Sequence, residues 1–228
     1  MEETILIRAQ AKSGGLFSMV IGGLVIILGC IVLLWLPEWL RLAGIFILSG
    51  GFVGMLIGWF KLREPEHSMH LTKSSIHYNH RYGAWALNWD NVVRIDIPKI
   101  YKNMQHEPLS MVAIKIRDYD EFMDTVSPRL MNNILSEQRG LLIQTFKEKY
   151  KEGSASLEQY SDYLVEDTAY TSESGRQYTG LQAMFVNRMK RLRDGLGYDL
   201  YINSTELDRS AEAFVKLLKE CQSAATKH

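Results

Sequence analysis

The stretch "LTKSSIHYNHRYGAWALNWDNVVRIDIP", Leu71 to Pro98, alternates apolar and polar residues in three runs separated by short polar turns. In the first run Ile76 and Tyr78 fall on one face and His77 on the other. In the second, Trp85, Leu87 and Trp89 oppose Ala84, Ala86 and Asn88; after a turn at Asp90 and Asn91, Val93, Ile95 and Ile97 oppose Arg94 and Asp96. Further on, "SMVAIKIR" sets Val112, Ile114 and Ile116 against Lys115 and Arg117. A period of two between polar turns describes half-buried antiparallel strands, in the simplest case a meander.

Upstream the pattern is different. No charge occurs from Ser13 to Pro37, nor from Leu42 to Phe60. A bilayer core of ~30 Å takes roughly 20 apolar residues as a helix, and both runs meet that length. Pro37 stops the first, and "PEWLR" between them carries Glu38 and Arg41. The first run is too long for a signal peptide and lacks a small-residue cleavage site, so a transmembrane hairpin is expected. Arg8 and Lys12 precede it, Arg41 alone lies in its turn, and Lys61, Arg63, Lys73 and Arg81 follow. That bias predicts cytoplasmic termini and a cytoplasmic main domain. Trp35, Trp39 and Trp59 stand where interfacial aromatics belong. Gly50, Gly54 and Gly58 on the second run, with Ser18 and Gly22 on the first, form four-residue stripes of small residues, and these are the candidates for helix packing within the hairpin or between copies. Neither run contains an ionisable group, which argues against a transport pathway. Cys30 and Cys221 imply no disulfide framework.

Downstream the period changes to that of helices. Ser127-Pro128 reads as a cap followed by proline at the first helical position, with Leu130, Ile134, Leu135, Leu141 and Leu142 on one continuous helix to about Lys151. A tyrosine-rich helix is expected from about Leu157 to Asp167. A third runs from about Tyr178 to Arg193, with Leu181, Met184, Phe185, Met189 and Leu192 inward, ended by Gly195 and Gly197. "YDLYIN", Tyr198 to Asn203, is a strand. A last helix starts at Thr205 with Asp208 completing its capping box, and it turns Leu207, Ala211, Phe214, Leu218 and Cys221 to one face.

The opening stretch, with "YDLYINSTELDRSAEAFVKLL", resembles the first strands and the closing strand and helix of bacterial pleckstrin-homology-like domains. The whole chain resembles bacterial membrane proteins of unassigned function that join two N-terminal transmembrane helices to such a domain. The resemblance implies an α+β membrane protein: a helical hairpin and a pleckstrin-homology-like antiparallel sheet or partial barrel with a C-terminal helix; this chain departs from that pattern by a helical insert, roughly 120–195, before the last strand. The expected division is a cytoplasmic tail at 1–12, spans at 13–37 and 42–60 around a periplasmic turn at 38–41, and a linker at 61–68. Strands at 69–118, the insert at 119–196, and the last strand and helix at 197–228 complete it. The implied location is the bacterial inner membrane.

Function is less legible. Basic and acidic residues balance at 26 each, which gives no reason to expect a nucleic-acid partner. The distribution is uneven: residues 61–117 carry nine basic and five acidic side chains, residues 118–187 six and twelve. Lys61, Arg63, Lys73, Arg81 and Arg94 are therefore the candidates for contact with an anionic leaflet. Four of the six histidines, His67, His70, His77 and His80, sit in the short stretch 67–80. In a strand, residues three apart point to opposite faces, so each pair should diverge and no metal site is expected. Asp118, Asp120, Glu121 and Asp124 read as a polar loop, and Arg188, Lys190, Arg191 and Arg193 as a helix end enriched in cations. No nucleophile with its base and no phosphate loop is present, and no cofactor is implied. The expected function is a membrane-anchored, non-catalytic interaction module with a protein partner or a second copy. A sensor of anionic headgroups is the alternative, and an enzyme without a recognisable motif the third reading.

Overall fold

A computed structural model describes residues 4–8, 14–35, 37–63, 65–102, 105–149, 163 and 168–226. The tyrosine-rich helix expected at 157–167 lies outside the described residues apart from Tyr163. The chain divides into two units: Arg8–Glu66, and Met1–Ile7 together with His67–His228.

The first unit is a pair of helices, α1 (Gly15–Trp35) and α2 (Arg41–Leu62), joined by a short 3-10 turn at Glu38–Leu40. In that turn Arg41 pairs with Glu38 at 3.0 Å. Large apolar side chains face outward, Leu34 at 80% and Trp35 at 85% exposure, while the buried residues are glycines. Those glycines recur every seven residues: Gly15, Gly22 and Gly29 on α1, Gly44, Gly51 and Gly58 on α2. The seam therefore follows a heptad and not the four-residue stripe expected from the sequence. At ~100° per residue a four-residue step drifts by about 40° around the helix, whereas a seven-residue step drifts by ~20°. Gly58 and Gly22 lie in the seam, Gly54 lies half-buried beside Gly22, Ser18 is half-buried, and Gly50 faces nothing within 4 Å.

The second unit contains two antiparallel sheets. The first has the order β1 (Ile5–Ile7), β2 (Met69–Leu71), β3 (Ser75–His80), β4 (Gly83–Asn88). Its first strand comes from the segment expected to be a plain tail. Ile5, Leu6 and Ile7 pair with Leu71, His70 and Met69. Ile7 and Met69 are fully buried, and the Ser68 N–H donates to the Ile7 carbonyl at 2.9 Å. The second sheet sets β8 (Met111–Ile116) between β5 (Val92–Asp96) and β11 (Leu200–Asn203). A hairpin of β6 (Lys99–Lys102) and β7 (Gln105–Pro108) interrupts the meander between β5 and β8.

Between β8 and β11 lie α3 (Tyr119–Met123), α4 (Pro128–Glu137), α5 (Arg139–Lys149), the small hairpin β9 (Tyr170–Thr171) and β10 (Gln177–Tyr178), and α6 (Gly180–Leu196). The chain ends in α7 (Ala211–Ala225). Both sheets share one core with α3, α4, α6 and α7: Ile76, Tyr78, Trp85 and Leu87 meet Ile95, Ile114 and Ile202 with Phe122, Phe185 and Phe214. Leu141 and Leu142 of α5 pack on Leu192 in a smaller cluster.

Four local expectations change. Opposite β8, the register of β5 slips between Val92 and Arg94, a bulge that turns Val92 inward and leaves Val93 49% exposed. The long helix after Pro128 is two helices, broken at Gln138. Ser127 precedes α4 without capping it. Its hydroxyl is buried beside Gly83 and has no hydrogen-bond partner, and a β-carbon on Gly83 would collide with it. The last helix starts at Ala211, capped by Ser210, whose hydroxyl accepts from the Ala213 N–H. Asp208 instead pairs with Arg209 at 2.7 Å.

Candidate functional site

The basic candidates lie on separate elements. Lys61 lies in the last turn of α2, and the Arg63 guanidinium lies 5.2 Å over the Trp59 ring. Lys73 occupies the β2–β3 turn and Arg81 the β3–β4 turn, at opposite ends of a six-residue strand and so roughly 20 Å apart. Arg94 belongs to the other sheet, where it bonds Asp96 at 3.1 Å and lies 5.3 Å over the Tyr198 ring. Of the interfacial candidates, Trp35 and Trp39 are strongly exposed and Trp59 is 47% exposed.

The histidines correct part of the expectation. His67 and His70 do not diverge: their rings meet edge to face at 5.8 Å, because His67 precedes the strand and is free of its alternation. His70 stands directly across from His77, whose Nε2 shares a 2.9 Å hydrogen bond with the Ser75 hydroxyl. His80 stacks on Tyr78. Among the described residues no group of three or more His, Cys, Asp or Glu is placed to hold a metal ion.

The acidic run holds the insert together. Asp118 caps α3 by accepting from the Asp120 N–H at 2.8 Å. Glu121 accepts from Asn88, and Asp124 pairs with Arg176 at 2.6 Å. Asp120 accepts from the hydroxyls of Ser172, Ser174 and Tyr178, which pins the β9–β10 hairpin to α3. Burial acts to raise the Asp120 pKa, but those three bonds outweigh it and hold the carboxyl below its usual range.

Most of the basic cluster on α6 is likewise consumed in packing. Arg188 is buried and donates to the Leu135 carbonyl, Arg191 donates to the Tyr163 carbonyl, and Lys190 lies over the Tyr170 ring. Arg193 makes the connection that the sequence reading missed. The αL turn at Gly197 (φ 85°) folds the chain back, so that Arg193 clamps the fully buried Asp199 through Nε and Nη2, each at 2.6 Å. Asp199 also accepts from the Tyr119 hydroxyl at 2.6 Å and the Ile116 N–H at 2.9 Å. An acid inside a strand, six residues past an arginine and across a glycine turn, was the available signal.

One shallow concavity of about 480 Å³ is lined by Tyr82, Pro128, Arg129, Asn132, Asn133 and Ser136. A second open concavity, about 580 Å³, runs along α7 beside Glu212, Lys216 and Lys219. The described geometry thus contains structural polar networks and open surface depressions, built on a two-sheet α+β domain whose first and second strands are separated in sequence by two long apolar helices. The chain belongs to the protein family of unknown function DUF2982, which it matches over residues 69–224, from the second strand through nearly all of α7. No curated protein and no solved structure matches it.

Proposed function

We propose that the chain is a membrane-anchored, non-catalytic interaction module of the bacterial inner membrane, with a pleckstrin-homology-like domain and both termini on the cytoplasmic side. The observation that carries this reading is the β1–β2 ladder. The segment before the helical pair and the segment after it are neighbours in one sheet, in register from Ile5 to Ile7. Two helices that cross a bilayer and return bring both flanks to the same face, as that ladder requires. Both helices are long and apolar enough to cross, and they turn large side chains outward, which suits a lipid solvent. The excess of Lys and Arg on the flanks over the turn favours the cytoplasmic side.

The pleckstrin-homology-like reading is supported by four strands, then three, then a closing helix. On this reading the membrane hairpin is inserted between the first and second strands, and the acidic helical insert between the last two. With its polar clusters engaged in holding the domain together, the described part of the insert is suited to presenting a surface to a protein partner or a second copy. Crosslinking of the full chain in native membranes tests this. One stoichiometric partner attached through residues 119–196 is expected, and a chain that crosslinks to nothing in stoichiometric amount would overturn the proposal. Cysteine labelling from either side of the membrane tests the topology separately.

A further inference from the structure

The two points where the chain leaves and re-enters the sheet, Ile7 and Met69, are register partners, and Met69 also pairs with Tyr78 on its other side. The β3–β4 turn at Arg81 and Tyr82 therefore lies at that same end of the sheet, and the turn holding Lys73 lies at the far end. The near turn is rigidly supported. His80 stacks on Tyr78 at 6.1 Å and lies 5.3 Å from Tyr82, while Tyr78 stacks on the buried Trp85 at 5.1 Å. Above this column the Arg81 guanidinium sits 4.8 Å over the Tyr82 ring. Across the concavity stands Arg129, in the first turn of α4, and Arg81, Tyr82 and Arg129 are all exposed.

We propose that this tip is the surface through which the domain contacts the anionic headgroups of the leaflet it emerges from. The inference rests on the reading that α1 and α2 span a bilayer. Its occupant is identified by chemistry and by connectivity. Guanidinium forks match phosphate oxygens, and an amphipathic tyrosine between them suits the headgroup depth. The tip shares its end of the sheet with both chain exits, and only residues 63–66 lie between α2 and His67. Lys73, at the far end, takes no part, and neither does Arg94.

The test uses the full chain in lipid nanodiscs, with Cys30 and Cys221 replaced by alanine and a fluorescent label at Tyr82→Cys or Lys73→Cys. The quencher is a lipid carrying a nitroxide on its headgroup. Quenching is expected at position 82 and not at 73. It should grow with the fraction of phosphatidylglycerol and weaken with salt. Arg81→Gln with Arg129→Gln should lower the equilibrium constant for the surface-bound state about 30-fold, from about fivefold per cation. Equal quenching at the two positions, or quenching at 82 indifferent to lipid charge, salt and the double variant, would overturn the proposal. So would loss of quenching when inorganic phosphate replaces chloride at matched ionic strength, since the site would then serve a soluble anion. Failure of the chain to resist alkaline extraction from membranes would instead remove the spanning reading beneath it.

Discussion

Gly22→Ala is a sharp test of the helical hairpin. A β-carbon on Gly22 would stand 2.5 Å from the Met55 nitrogen and 2.9 Å from the Gly51 oxygen, where ordinary contact begins at about 3.4 Å. Both neighbours are backbone atoms, so no side chain can rotate away and the helices must part by about 1 Å. A gap of that size forfeits a quarter to a half of the dispersion well for each atom pair along the seam. Overpacking of this kind costs about 1–3 kcal/mol. Alanine's intrinsic helix advantage over glycine, up to ~1 kcal/mol, works in the opposite direction and must be removed from the comparison. Gly50→Ala does this, since position 50 has the same propensity gain and nothing within 4 Å. Opening of the hairpin by SDS can be followed with a pyrene pair at positions 16 and 62, at the same open end of the helix pair, since a β-carbon on Gly15 would stand 3.3 Å from the Leu62 nitrogen. Gly22→Ala should open earlier than Gly50→Ala by the full overpacking cost. Coincident transitions would show that the backbones do not meet along the heptad, and the seam would have to be abandoned.

Three further outcomes are expected. Asp199→Asn leaves Arg193 facing a neutral amide at a fully buried position, and should cost about 3 kcal/mol in a thermal melt; Asp199→Leu should cost at least as much, because it also strips the acceptor from the Tyr119 hydroxyl and the Ile116 N–H. Ser127→Ala removes a buried hydroxyl without a partner and should stabilise the fold by about 1 kcal/mol, whereas loss of a working cap would destabilise it, so the sign of the change decides. Burial, then Asp199, raises the pKa of Tyr119 and of Tyr201, and burial, then the Asp120 bond, raises that of Tyr178. A raised folded-state pKa gives stability that is complete below the unfolded value of ~10 and lost as pH climbs through it and beyond. Melting temperatures that hold steady through strongly alkaline pH would contradict this assignment.

The sequence by itself determined the elements whose signal is local. The two apolar runs became α1 and α2, and alternation placed Ile76, Tyr78, Trp85, Leu87 and Ile114 inward as found, because side-chain burial in a strand follows a period of two whatever it packs against. Helical spacing likewise marked the buried faces of α6 and α7. Tertiary structure decided what depends on a partner distant in the chain. Three residues, Ile5 to Ile7, are too short to declare a strand, and they become one only because β2, over sixty residues later, offers its edge. The bulge at Val93 is set by β8, and the heptad glycine seam by the rotation at which two backbones first touch. The same holds for the candidate sites. Tyr82 and Arg129 are 47 residues apart and share a rim only because the β3–β4 turn packs at the start of α4, while Lys73 and Arg81, near each other in sequence, are held apart by the length of an extended strand. Composition records which charges a chain carries; which of them can act together is decided by the distances between elements, and those follow from packing.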